Sequence, residues 1–213
     1  PPEWDFQADA CMERTSGHHA KRAYALDPWG SHQSWCPSAT GDRNRRHEML
    51  KSTVAHFARE AGLQVTVEPS TDMLLQGVNA WTTFAEACTE ANLDAVNLRI
   101  DLQITDTLQK NVWQIDTTVV TSTAKKYIEK EFKAIKAMRP TDYLPNGISV
   151  MAQQKYKHGK YAPLIKAQMK EFDNGTRTSR PVFIAAAASH AGEVGPEVVS
   201  LIEKIVKAFK TNH

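Results

Sequence analysis

Hydrophobic positions change their period along the chain, and each change marks an element. From Arg45 onward, Met49, Leu50, Val54, Phe57, Ala58 and Ala61 share one face at helical spacing. Gly62 follows where a left-handed terminating residue is favoured, and Leu63 to Glu68 then reads as a short strand ending on a carboxylate. A helix over 79–91 is expected to bury Trp81, Phe84 and Cys88 through their three- and four-residue spacings, which makes Cys88 a core residue. Val96, Leu98, Ile100, Leu102 and Ile104 alternate with polar residues, predicting one strand with a single apolar face and Asp101 projecting away from it. Residues 112–120 form a β-branched strand interrupted by Asp116, leading to a helix over 122–138. A Pro- and Gly-containing loop over 139–147 precedes a broken helical region to about Phe172, with Pro163 as an initial turn or a kink. Residues 181–187 give a last strand, and Pro196 to Phe209 a last helix with Pro196 in its first turn.

The order α, β, α, β, β, α, α, β, α predicts an α/β fold with a central mixed sheet flanked by helices. Residues 1–44 have no such period; Cys, His, Trp, Pro, Gly and Ser recur there, so the expected division is an irregular segment over 1–44 and a folded domain over 45–213. Composition adds limits more than direction. The 213 residues carry 26 Lys and Arg against 24 Asp and Glu, a net charge of +2 that neither demands nor excludes a nucleic-acid partner. Three cysteines exclude a disulfide scaffold, and no apolar run approaches the roughly 20 residues needed to cross a bilayer. These features predict an intracellular protein without a membrane partner. The start at Pro1-Pro2, without Met or a signal-peptide pattern, reads as a cut or processed chain with neighbouring domains in a larger parent.

The candidate chemistry lies in acids at strand ends and lysines on helices. Glu68, Asp101 and Asp116 fall on or beside three strands that can be neighbours. Clustered carboxylates are costly unless neutralised; Mg²⁺ or Mn²⁺ would use their oxygens, acidify a bound water and stabilise charge developing on a phosphate. The alternative for each acid is local: Glu68 ends its strand, Asp101 sits on a wet face and Asp116 bonds Thr118. Lysines at 125, 126, 130, 133 and 136 and from Lys155 to Lys160 offer a track for phosphates, or a solvated helical face.

Arg46-His47, the helix ending Ala61-Gly62, Glu68-Pro69, Arg99-Ile100-Asp101 and Ile115-Asp116-Thr117-Thr118-Val119 together resemble the restriction-like endonuclease domain of non-LTR retrotransposon reverse transcriptases, of the PD-(D/E)xK superfamily. Lys157-His158-Gly159-Lys160-Tyr161, Pro181-Val182-Phe183-Ile184 and Gly192-Glu193-Val194-Gly195-Pro196-Glu197 extend the resemblance over about residues 46–209. It implies a restriction-endonuclease-like mixed sheet and a Mg²⁺- or Mn²⁺-dependent endonuclease cleaving DNA. Asp101 and Asp116 would be metal ligands, with Glu68 a further acid of the site. The superfamily's strand lysine, two residues after the acid, is Thr118 here. A helical lysine must therefore reach back, Lys157 first and Lys160 next, to polarise the attacking water or hold the scissile phosphate. Arg99 stands where the family often has a small residue or proline.

The resemblance also bears on the amino-terminal segment, where the related proteins carry a cysteine and histidine region. It implies a structural zinc on Cys11, His18 or His19, Cys36 and His47, with His32 an alternate. The expected partner is nucleic acid, DNA ahead of RNA, with other domains of a polyprotein and a nuclear location if the parent is a eukaryotic retroelement. The competing function is a catalytically inactive nucleic-acid-binding or assembly domain of the same fold.

Overall fold

The computed structural model describes residues 10–12, 23–25, 40–77, 79–95, 98–120, 125–137, 147–190 and 192–213. Two three-residue strands, β1 (Ala10–Met12) and β2 (Ala23–Ala25), pair antiparallel with Cys11 opposite Tyr24. Helix α1 (Thr40–Glu60) then crosses the boundary expected at residue 44. Its buried line is Lys51, Val54, Ala55 and Ala58. Met49 and Phe57, expected on that face, are exposed, because the small residues Ala55 and Ala58 let the helix lie close to the sheet and turn the larger flanking side chains outward. Gly62, at φ +74°, ends it: Leu63 N donates to Ala58 O and Gly62 N to Arg59 O, the paired bonds of a left-handed helix stop.

Strand β3 (Gln64–Val67) follows, then a single turn α2 (Thr71–Leu74), helix α3 (Ala80–Glu90), strands β4 (Leu102–Asp106) and β5 (Asn111–Val120), helices α4 (Lys125–Ala137) and α5 (Ile148–Asp173), strand β6 (Arg180–Ser189) and helix α6 (Pro196–Asn212). The sheet order is β3-β4-β5-β6, antiparallel except for the parallel pair β5 and β6. Helices flank both faces. On one, Val54, Ala58, Leu201 and Ile205 of α1 and α6 pack on Leu102, Ile104, Trp113, Ile115 and Ile184. On the other, Phe84 and Cys88 of α3 and Tyr161, Leu164 and Ala167 of α5 pack with Leu98, Ile100, Phe183 and Ala185. Each large apolar side chain so buried contributes about 1.5–3 kcal/mol. No helix among the described residues is long and apolar enough to cross a membrane.

Three differences from the sequence pattern have physical causes. The alternating run from Val96 to Ile104 is not one strand with one face. Leu98 and Ile100 join the α3–α5 core, Leu102 and Ile104 join the α1–α6 core, and the chain changes face at a bend on Asp101. Trp81 is exposed because the buried line of α3 runs through Ala80, Phe84, Ala87 and Cys88, and Trp81 instead meets Phe84 edge-on. Pro163 does not break the region around it, since α5 runs unbroken for 26 residues.

Candidate active site

The bend at Asp101 puts its carboxylate beside that of Asp116. Leu102 pairs with Ile115, and continuing this antiparallel register by one residue sets Asp101 opposite Asp116. Asp101 N donates to Ile115 O at 3.1 Å, so the alignment is held by the backbone. On its other side Asp116 is in register with Ala185 of β6. Both acids are buried.

Their surroundings differ. Asp101 Oδ2 accepts from Thr117 N at 2.6 Å and Thr117 Oγ1 at 2.7 Å, and His47 Nε2 stands 3.1 Å away. Burial pushes the Asp101 carboxyl up, but these donors outweigh it and hold the pKa below the ordinary value. Asp116 is in the reverse case. Burial raises it, the nearby Asp101 charge adds to the rise, and Lys157 only partly opposes them. Lys157 Nζ lies 2.5 Å from Asp116 Oδ2, and Tyr161 Oη lies 3.0 Å from Oδ1. Adjacent carboxylates pushed in opposite directions are an arrangement typical of reactive sites.

Helix α5 supplies this second set of partners from one face. Gln154, Lys157, His158 and Tyr161 are spaced by three and four residues. Gln154 Nε2 donates to Ala185 O, His158 Nε2 pairs with Glu197 Oε1 at 2.7 Å, and Glu197 Oε2 accepts from Ala185 N. The outer edge of β6 is thus capped by side chains of α5 and α6. Burial and the contact with Asp116 push the Tyr161 phenol far above its ordinary pKa, so it acts as a neutral donor. Lys160 is pulled below the ordinary lysine value by burial and by the neighbouring Lys157 charge, and its Nζ lies 5.0 Å from the Tyr161 ring centroid.

Glu68 is near by backbone and apart by side chain. Its N–H donates to Asp101 O at 2.7 Å, and its φ of +49° turns the chain at the end of β3. Its carboxylate, however, pairs with Lys51 Nζ at 2.8 Å and with the Arg99 guanidinium. The Lys51 hydrogen bond holds its pKa down. The structure therefore brings together Asp101, Asp116, Lys157 and Lys160, while the Glu68 carboxylate belongs to a separate ion cluster with Lys51, Arg99 and, through Lys51, Glu48.

Of the expected zinc ligands, His18, Cys36 and the Cys11 side chain lie outside the described residues, as do His19 and His32. His47 is described, and its imidazole faces Asp101 and Thr117. Sequence reading gave neither His47 nor Thr117 a place here. The available signal was helical spacing: His47 and Lys51 extend the buried line of α1 by whole turns toward the end of the sheet, where polar groups replace apolar ones.

A divalent cation of the Mg²⁺ type requires few protein ligands, one or two carboxylates completed by water and phosphate oxygens. Among the described residues no group of three or more His, Cys, Asp or Glu side chains is arranged to hold a metal. The pair Asp101 and Asp116 still fits the smaller requirement. Asp116 Oδ2 is buried and has no hydrogen bond beside its ion pair with Lys157, and every donor to Asp101 lands on Oδ2, leaving Oδ1 without a donor among the described residues. Compared with protein-family models, curated proteins and solved structures, the chain matches none.

Proposed function

We propose that the chain is a metal-dependent endonuclease domain of restriction-endonuclease-like fold that hydrolyses phosphodiester bonds of DNA. The observation that carries this reading is the cross-strand pair Asp101 and Asp116 with Lys157 Nζ 2.5 Å from Asp116. Asp101 and Asp116 would hold Mg²⁺ or Mn²⁺, which when bound would supply an acidified water and a counter-charge for the phosphate. Lys157 and Lys160 orient the attacking water or grip a non-bridging phosphate oxygen from α5. Tyr161 Oη, whose one proton lies between the Arg99 carbonyl at 2.5 Å and Asp116 Oδ1 at 3.0 Å, buttresses Asp116 from α5. Exposed Lys130, Lys133, Lys136 and Lys155 on α4 and α5 provide contacts for the polyanion. A parent reverse transcriptase, with this module nicking its target, is the setting in which such an activity serves.

A second reading has its own observation. Thr118 occupies the position of the strand lysine, so the fold can also serve as an inactive nucleic-acid-binding or assembly domain. The separating experiment is cleavage of single-stranded, duplex and branched DNA, and of RNA, with Mg²⁺ or Mn²⁺, comparing the parent with D101A and D116A. The nuclease reading expects cleavage by the parent and its loss in both variants with binding retained. Binding without cleavage in the parent selects the second reading, and unchanged cleavage in both variants removes this site from consideration.

A further inference from the structure

Helix α1 reaches the carboxylate pair through one side chain. His47 Nε2 lies 3.1 Å from Asp101 Oδ2 and 3.1 Å from Thr117 Oγ1. An ionised carboxylate only accepts, so the imidazole must present an N–H at Nε2. Thr117 supplies its amide and hydroxyl to the same oxygen. Three donors from two elements on one carboxylate oxygen define its rotamer. The other oxygen, Oδ1, accepts from no donor among the described residues.

We propose that His47 is a positioning residue: with Thr117 it locks the Asp101 carboxylate through Oδ2, in the orientation in which Asp101 would serve as a ligand to a divalent cation. This rests on the metal-dependent reading of the site. It gives His47 a role other than zinc ligation, and it gives α1 a role in the reaction that its packing on the sheet does not supply. Hydrogen bonds that orient a ligating side chain characteristically change metal affinity by about 10–100-fold when removed.

The test uses Mn²⁺ alone as the probe, titrated into the full 213-residue chain and followed by electron paramagnetic resonance, with zinc content measured on the same preparations. D101A and D116A serve as references. H47A is expected to weaken Mn²⁺ binding by about 10–100-fold, while H47Q, which keeps a donor N–H, recovers most of it. Zinc content should be the same in H47A and the parent. H47Q and H47N keep the test open if H47A does not fold. The inference is overturned if H47A binds Mn²⁺ like the parent while D101A does not, if H47Q is no better than H47A, or if H47A loses zinc, which would return His47 to the zinc site. If the parent binds no Mn²⁺, or D101A and D116A bind it unchanged, the metal-site reading falls first and this inference with it.

Discussion

Lys157 Nζ meets Asp116 Oδ2 at 2.5 Å across the contact between α5 and β5, with only 14% of the lysine side chain and 6% of the aspartate side chain exposed. The lysine comes from a helix, while the strand position two residues after Asp116 holds Thr118. What makes the reach possible is the face of α5 that also carries Gln154 and Tyr161, bonded to β6, Asp116 and the Arg99 carbonyl, and His158, paired with Glu197 of α6. A lysine held by its neighbours in this way delivers its charge to a fixed place.

Removing that charge should destabilise the protein in a pH-dependent way. In K157M, Asp116 stays buried but loses its closest cation, and breaking such a pair costs about 3 kcal/mol at neutral pH, less where some solvent reaches it. Asp116 is already raised by burial, and Lys157 is what opposes the rise, so the variant's carboxyl moves further up. A raised carboxyl makes the folded state bind more protons than the unfolded one, and stability then falls as pH rises through the interval between the two pKa values. The deficit of K157M against the parent should therefore shrink on acidification. Urea denaturation at a series of pH values checks this; a pH-independent deficit would contradict it.

His47 and Asp101 form a pair with the opposite linkage. The hydrogen bond with Asp101 raises His47 above 6.5, and donors to Asp101 outweigh burial and hold it below 3.8. The histidine contribution is complete below 6.5 and is lost as pH rises through its raised folded value; the aspartate contribution is complete above 3.8 and is lost as pH falls through its depressed value. The metal-free protein should gain most from the pair between those two limits. With 31% of the His47 side chain exposed, solvent screening keeps the gain to about 1 kcal/mol or less. Melting temperature against pH should decline on the alkaline side in the parent and flatten in H47Q. Identical profiles would show that the contact has no energetic weight.

The layered α/β order was legible because periodicity reports which positions are buried, and a four-strand mixed sheet with helices on both faces follows from it. Orientation at the ends of elements was less legible. Alternation from Leu98 to Ile104 looks continuous, yet a bend at Asp101 redirects it, since two apolar cores on opposite faces of one sheet accept the same residue types. Glu68 N donates to Asp101 O, but the Glu68 carboxylate turns to Lys51 and Arg99, whose positive charges attract it where another carboxylate would repel it. Pairings such as Lys157 with Asp116 span 41 residues, and no local pattern specifies which of several helical lysines makes them.

Cleavage kinetics should divide the lysines. K157A removes the cation in contact with Asp116 and is expected to lower kcat by about 10²–10³-fold, the scale of a lost electrostatic stabiliser. Lys155 is exposed on the same helix, so K155A should weaken DNA binding, and flatten its salt dependence, with kcat nearly unchanged. Equal losses of kcat in the two variants would mean that α5 acts only as a phosphate track.

The buried pair Arg177 and Glu171 anchors the far end of α5. Both side chains are about 5% exposed, their nearest atoms are 3.0 Å apart, and Glu171 Oε1 also accepts from Gln76 N and Gly77 N. R177M leaves Glu171 buried without its cation and should cost about 3–5 kcal/mol in urea denaturation. Because this network lies about three turns along α5 from Tyr161, Mn²⁺ affinity of the remaining folded protein should be unchanged. A coupled loss of affinity would show that α5 transmits strain along its length.

Gly195 offers a steric test of the same helix face. Its φ of −72° is ordinary for any residue, so a side chain is excluded by space and not by conformation. A Cβ there would come within 2.8 Å of Val150 Cγ1 and closer still to the Gln154 amide, which donates to Ala185 O at 3.0 Å. G195A should cost roughly 1–3 kcal/mol as α5 and the turn before α6 are pushed apart. Part of the clash is with a side chain, so Q154A should relieve it: the double variant is expected to be more stable than the sum of the two single losses predicts. If the losses simply add, Val150 carries the contact, and Gln154 moves aside without cost.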